Sequence, residues 1–303
     1  MPDAAVIIPH YNDPERLSRC LAALLPTVPD NVEVIVVDNG STQSLAPVRA
    51  AYPGLRIVTE PRKGAAMARN RGVTETVAPR LFFLDCDCVP AADWLATALR
   101  LADRADIIGG TITLFDETPA PRSGAEAFEA VFAFDNLAYI RDKGFSVTAN
   151  MLATRKVFAA VGDFRDGVSE DFDWCSRAVA QGFSLLHQDD LRVAHPSRSD
   201  WPALRRKWHR LTVEAWGLSG GGPGVSSSTR ARWALRALAM PASIIVHAPR
   251  VLRSPRLRGP GERLAALATL ARLRLLRCGW MLRQAAGGSL LKRLPKRARR
   301  FWE

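Results

Sequence analysis

The chain has 303 residues, 48% of them apolar, enough for one large α/β domain with a modest helical addition. Its five cysteines (Cys20, Cys86, Cys88, Cys175, Cys278) are scattered and odd in number, which argues against a disulfide scaffold and for a reducing compartment. The net charge of +12 is an uneven average: residues 1–229 carry twenty-four Lys and Arg against twenty-eight acids, whereas residues 230–303 carry eighteen against two, Glu262 and Glu303.

Residues 4–9 form a compact apolar strand that runs into the polar turn His10-Tyr11-Asn12-Asp13. Leu17, Leu21, Leu24 and Leu25 follow at helical spacing. Residues 34–38 are a continuous hydrophobic strand ending in Asp38 and the turn Asn39-Gly40-Ser41. A strand over 55–59, a helix over 65–77, a strand over 81–85 and a helix over 90–104 complete the first third. Apolar strands without alternation, separated by helices, predict a mostly parallel sheet covered on both faces. Ligands bind such sheets at the carboxyl ends of the strands, where His10, Tyr11, Asp38, Asp85 and Asp87 all fall. No Gly-x-Gly-x-x-Gly follows the first strand and no Walker loop occurs, so phosphate recognition is expected from a cation and basic side chains.

Asp85-Cys86-Asp87 closes the run Leu81-Phe82-Phe83-Leu84. Two carboxylates at the carboxyl edge of a sheet are costly without a cation, and oxygen ligands suit Mg²⁺ or Mn²⁺. Strand geometry would send both carboxylates to one side and Cys86 to the other. Caps for the following helix are the bland alternative. With no other cysteine pair at ligand spacing, Cys86 and Cys88 do not suggest zinc.

Further along, Ser169-Glu170-Asp171-Phe172-Asp173 offers three acids at a helix start. Acids there suit the positive end of the helix dipole, while Phe172 and Trp174 flank them with aromatic surface. Asp173 and Arg177, four apart, read as a structural ion pair.

Val6-Ile7-Ile8-Pro9-His10-Tyr11-Asn12, Val36-Val37-Asp38-Asn39-Gly40-Ser41, Gly64 with Ala68-Arg69-Asn70-Arg71-Gly72, Asp85-Cys86-Asp87 and Ser169-Glu170-Asp171-Phe172-Asp173 occur in this order. Together, over roughly residues 4–215, they resemble the family 2 glycosyltransferases of the GT-A fold, with His10 a departure from the common pattern. The resemblance implies a Rossmann-like mixed sheet with helices on both faces, and inverting, metal-dependent transfer of a sugar from a nucleotide diphosphate sugar to an acceptor hydroxyl. Bacterial-type cell-surface glycan or polysaccharide assembly is the implied setting. Pro9, Tyr11, Asn12, Asp38, Lys63, Gly64, Asn70 and Asp85 would serve the donor. For Asp38 an Asx turn with Gly40 and Ser41 stands as the alternative, and for Arg69 ordinary helix-surface charge. Asp87, with Asp85 and His195, would hold Mg²⁺ or Mn²⁺. Asp171 would be the general base, with Glu170 holding the acceptor or orienting Asp171, and Asn150 and Trp174 would line the acceptor site. Arg205-Arg206-Lys207-Trp208 lies where processive members carry Gln-x-x-Arg-Trp. The missing Gln favours a non-processive transferase, and this cluster could contact the diphosphate or be surface charge.

These readings divide the chain into a catalytic domain over 1–219 (a nucleotide-sugar half to about 110 and an acceptor half from 111), a Gly/Ser linker over 220–229, and a basic helical tail over 230–303. Leu264, Leu267, Leu270, Leu273 and Leu276 recur in that tail among arginines. Its apolar runs are broken by Arg and Pro, so the expectation is amphipathic helices lying in an anionic membrane interface rather than a span. Packing on the catalytic domain is the alternative, and nucleic acid is not expected. The strand that begins almost at Met1 leaves no room for a leader. The expected location is thus cytoplasmic, peripheral on the inner face of the cell membrane, with a glycan or lipid-linked acceptor. A sugar-1-phosphate nucleotidyltransferase and a non-catalytic, membrane-attached binding protein are the rival functions. The first would want a glycine-rich loop after the first strand, and the second would need neither Asp85 and Asp87 nor Asp171.

Overall fold

A computed structural model describes residues 1–288, so the basic stretch from Lys292 to Trp302 lies outside the described residues. The described residues form two compact units: residues 1–113 with 134–195, and residues 114–133 with 196–288.

The first unit is built on a sheet of order β3-β2-β1-β4-β7-β6-β8-β5. Strands β1 (Ala4–His10), β2 (Val32–Asp38), β3 (Arg56–Thr59) and β4 (Arg80–Leu84) run parallel. β7 (Asn150–Thr154) lies antiparallel to β4 and to β6 (Ile107–Phe115), and the two-residue β5 (Val89–Pro90) lies antiparallel to β8 (Leu185–Pro196). Alternate residues of the same strands feed opposite faces. Val6 and Ile8 join Leu17 and Leu21 of α1 (Pro14–Leu24) and Trp94 of α4 (Trp94–Leu101). Ile7, Leu81 and Phe83 join Phe158 of α7 (Arg155–Val161) and Trp174 of α8 (Glu170–Ala180). Burial on both faces is why these strands read as unbroken apolar runs.

Several boundaries move from their sequence expectation. β4 stops at Leu84, so Asp85-Cys86-Asp87 lies in a turn closed by Cys88 N–H donating to the Asp85 carbonyl at 3.0 Å. Same-side projection by strand alternation therefore does not apply to the two acids. The helix expected from Pro90 begins at Trp94, because Val89 and Pro90 pair with Ala194 and Val193.

The second unit is helical. Phe128 and Val131 of α5 (Gly124–Phe132), Leu204 of α9 (Trp201–Leu218), Val251 of α10 (Ser227–Leu252) and Ala266, Leu270 and Leu273 of α11 (Gly259–Ala285) form its core. A boundary at 220 thus separates helices that share one core: the apolar faces of α5 and α9 need cover, and α11 supplies it. The Gly/Ser segment is a compact turn, with Gly221 N–H donating to the Trp216 carbonyl at 2.9 Å and Trp216 packed 5.3 Å from Trp233. Lys207 bonds Glu129 at 2.6 Å, which makes it an internal ion pair rather than surface charge. Burial alone would push the Glu129 carboxyl up, but Lys207 and Arg198 outweigh it and hold it below the usual carboxylate range.

Candidate active site

The parallel strands deliver their last residues to one edge. In register, His10 of β1 faces Asp38 of β2. His10 Nε2 accepts the Asp13 N–H at 3.2 Å, so Nδ1 carries the proton and donates to Asp38 at 3.1 Å. Asp38 Oδ1 also takes the Ser41 hydroxyl at 2.5 Å, and its carboxylate accepts the Ser41 N–H, so the Asx turn is what the fold displays here. Asn12, at φ 51, spends its side-chain oxygen on Thr42 N–H (2.7 Å) and Gln43 N–H (3.0 Å). It shapes the turn beside Asp38 rather than presenting that oxygen to a ligand. Pro9 and Tyr11 are half-buried at the same edge.

Asn39 fastens the next loop. Its amide donates to the Glu60 and Arg62 carbonyls and its oxygen accepts Gly64 N–H at 2.7 Å. Lys63 is thereby brought over β2: Nζ donates to the Gly40 carbonyl at 2.7 Å and sits 4.4 Å from the centre of the Tyr11 ring. Arg62 instead turns back onto Glu60. Gly64 has φ 124, and a Cβ there would lie 2.6 Å from an Asp166 carboxylate oxygen, so only glycine can open α3 (Ala65–Thr74) in this way.

Two acids follow, each with its own partner. Antiparallel pairing of Val89 with Ala194 sets the flanking Asp87 and His195 side by side, with His195 Nε2 3.3 Å from Asp87 Oδ2. The His195 ring packs on Phe134 at 4.7 Å. Asp87, His195 and the Cys88 sulfur bring their ligand atoms within 4.8 Å of one another. Burial, with Asp87 and Asp85 adding repulsion, pushes the Cys88 thiol up, and hard divalent ions take carboxylate and imidazole more readily than sulfur. Asp85 is not part of this cluster. It turns to Arg69, which donates from Nη2 to Asp85 Oδ1 at 2.5 Å and from Nη1 to Glu170 Oε1 at 2.9 Å. Arg69 is buried, not helix-surface charge. Burial opposes its charge, but Asp85 and Glu170 outweigh that and raise its pKa.

Asp171 opens α8 beside Glu170. Its Oδ1 accepts the Ser169 hydroxyl at 2.9 Å and the Phe172 N–H at 2.8 Å. Burial, then the neighbouring Glu170 charge, raise its carboxyl above the ordinary range against those two bonds and Arg69. Asp173 and Arg177 form the expected i,i+4 pair at 2.9 Å.

Three residues expected at the donor or acceptor are otherwise engaged. Asn70 is clamped on the Phe164 backbone through both amide atoms at 2.9 Å. Asn150 is fully buried, accepting Trp94 Nε1–H at 2.9 Å and donating to the Leu191 and Thr111 carbonyls. Trp174 is core, with Nε1–H on the Gly162 carbonyl and its ring 5.2 Å from Phe164. The half-buried aromatics near Asp171 are instead Phe172, Phe145 and Tyr139: Phe172 meets Phe145 edge-on at 5.3 Å, and Tyr139 stacks on Phe145 at 5.1 Å. No motif carries Tyr139 or Phe145, and the only sequence signals of the helix 136–143 that holds Tyr139 are its Asp135 cap and Gly144 stop.

Residues 5–162 match the family described as Glycosyl transferase family 2. A glycosyltransferase of Haloferax volcanii, AglE, is 30% identical over 72% of this chain and 75% of its own. The pre-mycofactocin glycosyltransferase of Mycobacterium tuberculosis is 27% identical over 67% of this chain, which spans only 45% of that relative. Among solved structures, the mannosyltransferase PcManGT of Pyrobaculum calidifontis, in complex with GDP-Man and Mn²⁺, superposes with a TM-score of 0.55 at 19% identity over 94% of this chain and 73% of that one. S. aureus TarS with UDP-GlcNAc gives 0.52 at 14% identity, over 96% and 93%. The fold agrees with these matches, and the chain belongs to the family 2 glycosyltransferases.

Proposed function

We propose that this glycosyltransferase is inverting and metal-dependent, moving a sugar from a nucleotide diphosphate sugar to a hydroxyl of a glycan or lipid-linked acceptor in cell-surface glycan assembly, one sugar at a time, on the cytoplasmic side of the membrane. The observation that carries this reading is the meeting of Asp87 and His195 at the carboxyl edge of the sheet. That donor set fits a divalent ion such as Mn²⁺ or Mg²⁺. When bound, the ion supplies neutralisation of the charge that builds on the leaving diphosphate. Lys63, held over Tyr11, adds a cation to the donor pocket, with Pro9, Asn12 and Asp38 shaping its wall and Gly64 opening it. Asp171 takes the acceptor proton through Oδ2, since both of its bonds fall on Oδ1. A carboxyl with a raised pKa is a stronger base than an exposed one. Glu170 stays fixed on Arg69 beside it, and the Phe172–Phe145–Tyr139 strip offers rings to a sugar face. A screen of UDP- and GDP-sugars for hydrolysis and transfer, with and without Mn²⁺, tests the reading. Metal-stimulated release of UDP or GDP supports it. No turnover of any nucleotide sugar, with folded protein and metal present, refutes it.

A further inference from the structure

Helices α10 and α11 pair as an antiparallel hairpin: Arg230 donates to the Ala285 carbonyl at 3.1 Å, Trp233 Nε1–H to Gln284 at 3.1 Å, and Arg263 to the Leu252 carbonyl at 3.0 Å. One side of the hairpin is committed to protein, since Trp233, Ala237 and Val251 of α10 and Leu270 and Leu273 of α11 are buried. Leu270 and Leu273, two of the leucines expected to face a membrane, are therefore core. Among the described residues, nothing buries the opposite side of α10. Leu235, Leu238, Ile245 and Leu252 recur at intervals of three and seven with Val246 beside them, and their exposure runs from 52% at Leu252 to 79% at Ile245. At 1.5 Å per residue this stripe is about 25 Å long. Exposed arginines close both ends, Arg232 and Arg236 at one, Arg250 and Arg253 at the other.

We infer that this face of α10 is where the protein lies on a bilayer rich in anionic lipid. Five large apolar side chains in one line, exposed on a folded unit, form an interaction surface. The occupant must be apolar in the middle and acidic at the rim, and chain 230–303 carries eighteen basic residues against two acids. A bilayer interface supplies both in one plane, with arginine stems lying along the acyl region and their heads among phosphates. The helix is long and apolar enough to cross a membrane by length and composition alone. Its packed side holds it to the surface instead, because Trp233, Ala237 and Val251 stay in the helical core. The inference rests on helix packing and charge, and stands whether or not the sugar chemistry is as proposed.

Flotation of the full chain with vesicles of phosphatidylcholine alone, or mixed with phosphatidylglycerol, tests it. Binding is expected on the mixed vesicles, weakened by salt, with each engaged arginine contributing about fivefold. The double variant Leu238→Glu/Ile245→Glu should lose at least about tenfold in binding, since burying either side chain favours the bound state by about that factor. Its unfolding midpoint should not change, because both positions are exposed. Unchanged vesicle binding in the double variant overturns the inference. So does a full chain that is dimeric in solution and becomes monomeric in the variant without loss on vesicles, which would assign the face to a second copy. Equal, salt-insensitive binding to both vesicle types overturns the role of the arginines.

Discussion

Asp171→Asn removes a charge while keeping an acceptor, so it separates chemistry from folding. The proposed base contributes roughly a hundred- to ten-thousand-fold to turnover, or about 2.7–5.4 kcal/mol of barrier at about 1.36 kcal/mol per decade. Stability should move the other way. The Ser169 hydroxyl and the Phe172 N–H both donate to Oδ1, and an amide oxygen accepts both. The variant forfeits a favourable acid–dipole interaction of about 0.3–1 kcal/mol. It is relieved of a buried negative charge beside Glu170, the two causes that raise the Asp171 pKa. A carboxyl whose pKa is raised on folding favours the fold while protonated, and that contribution is lost as pH rises through its folded pKa. The variant should therefore equal or exceed the wild type in urea unfolding at neutral pH. That relative advantage should fade as pH falls below the ordinary aspartate range, where both side chains are uncharged. Single-turnover assays with saturating donor would read the chemical step, and calorimetry should show donor binding retained. Wild-type turnover would refute the base. Loss of stability at every pH would make Asp171 a helix cap and nothing more.

Asp87→Asn and His195→Ala should each abolish metal-dependent donor binding without unfolding the chain, and unchanged calorimetry with Mn²⁺ present would remove them as ligands. Arg69→Gln leaves Asp85 and Glu170 without their shared partner. Because both acids keep partial exposure, the expected loss is about 2 kcal/mol, below the 3–5 kcal/mol of a fully buried pair, and urea unfolding with Arg69→Lys as the conservative control checks it. Glu129→Gln removes the buried carboxylate that Lys207 and Arg198 share and should cost about 3 kcal/mol in thermal or urea unfolding, and a neutral result would show the pair to be solvated.

The parallel half of the sheet could be read from the chain because its strands carry their own signal. Unbroken apolar runs such as Val34-Ile35-Val36-Val37 arise only where both faces are buried, and the polar residue that ends each run marks the carboxyl edge. Asp38, at the end of β2, and Asp85 and Asp87, in the turn that follows β4, lie at that edge. The ion pair of Asp173 with Arg177 was equally legible, being local and set by helical period.

What the chain alone left undecided depends on pairings between residues far apart in sequence. Asp87 meets His195 only because β5, two residues long, aligns against β8. Arg69 is an internal bridge because α3 carries it under Asp85 and Glu170, sixteen and one hundred and one positions away. Asn70, Asn150 and Trp174 sit in motif-like positions, yet the fold spends their polar groups on Phe164, Leu191 and Gly162. A buried donor or acceptor must be satisfied by whatever backbone lies nearest. Helical spacing likewise made every leucine of the tail an equal candidate for a membrane face. Only the packing of α5 and α9 decided that Leu270 and Leu273 turn inward while Leu238 and Ile245 remain outside. Periodicity defines a face of a helix, and the neighbour that covers it is a matter of tertiary structure.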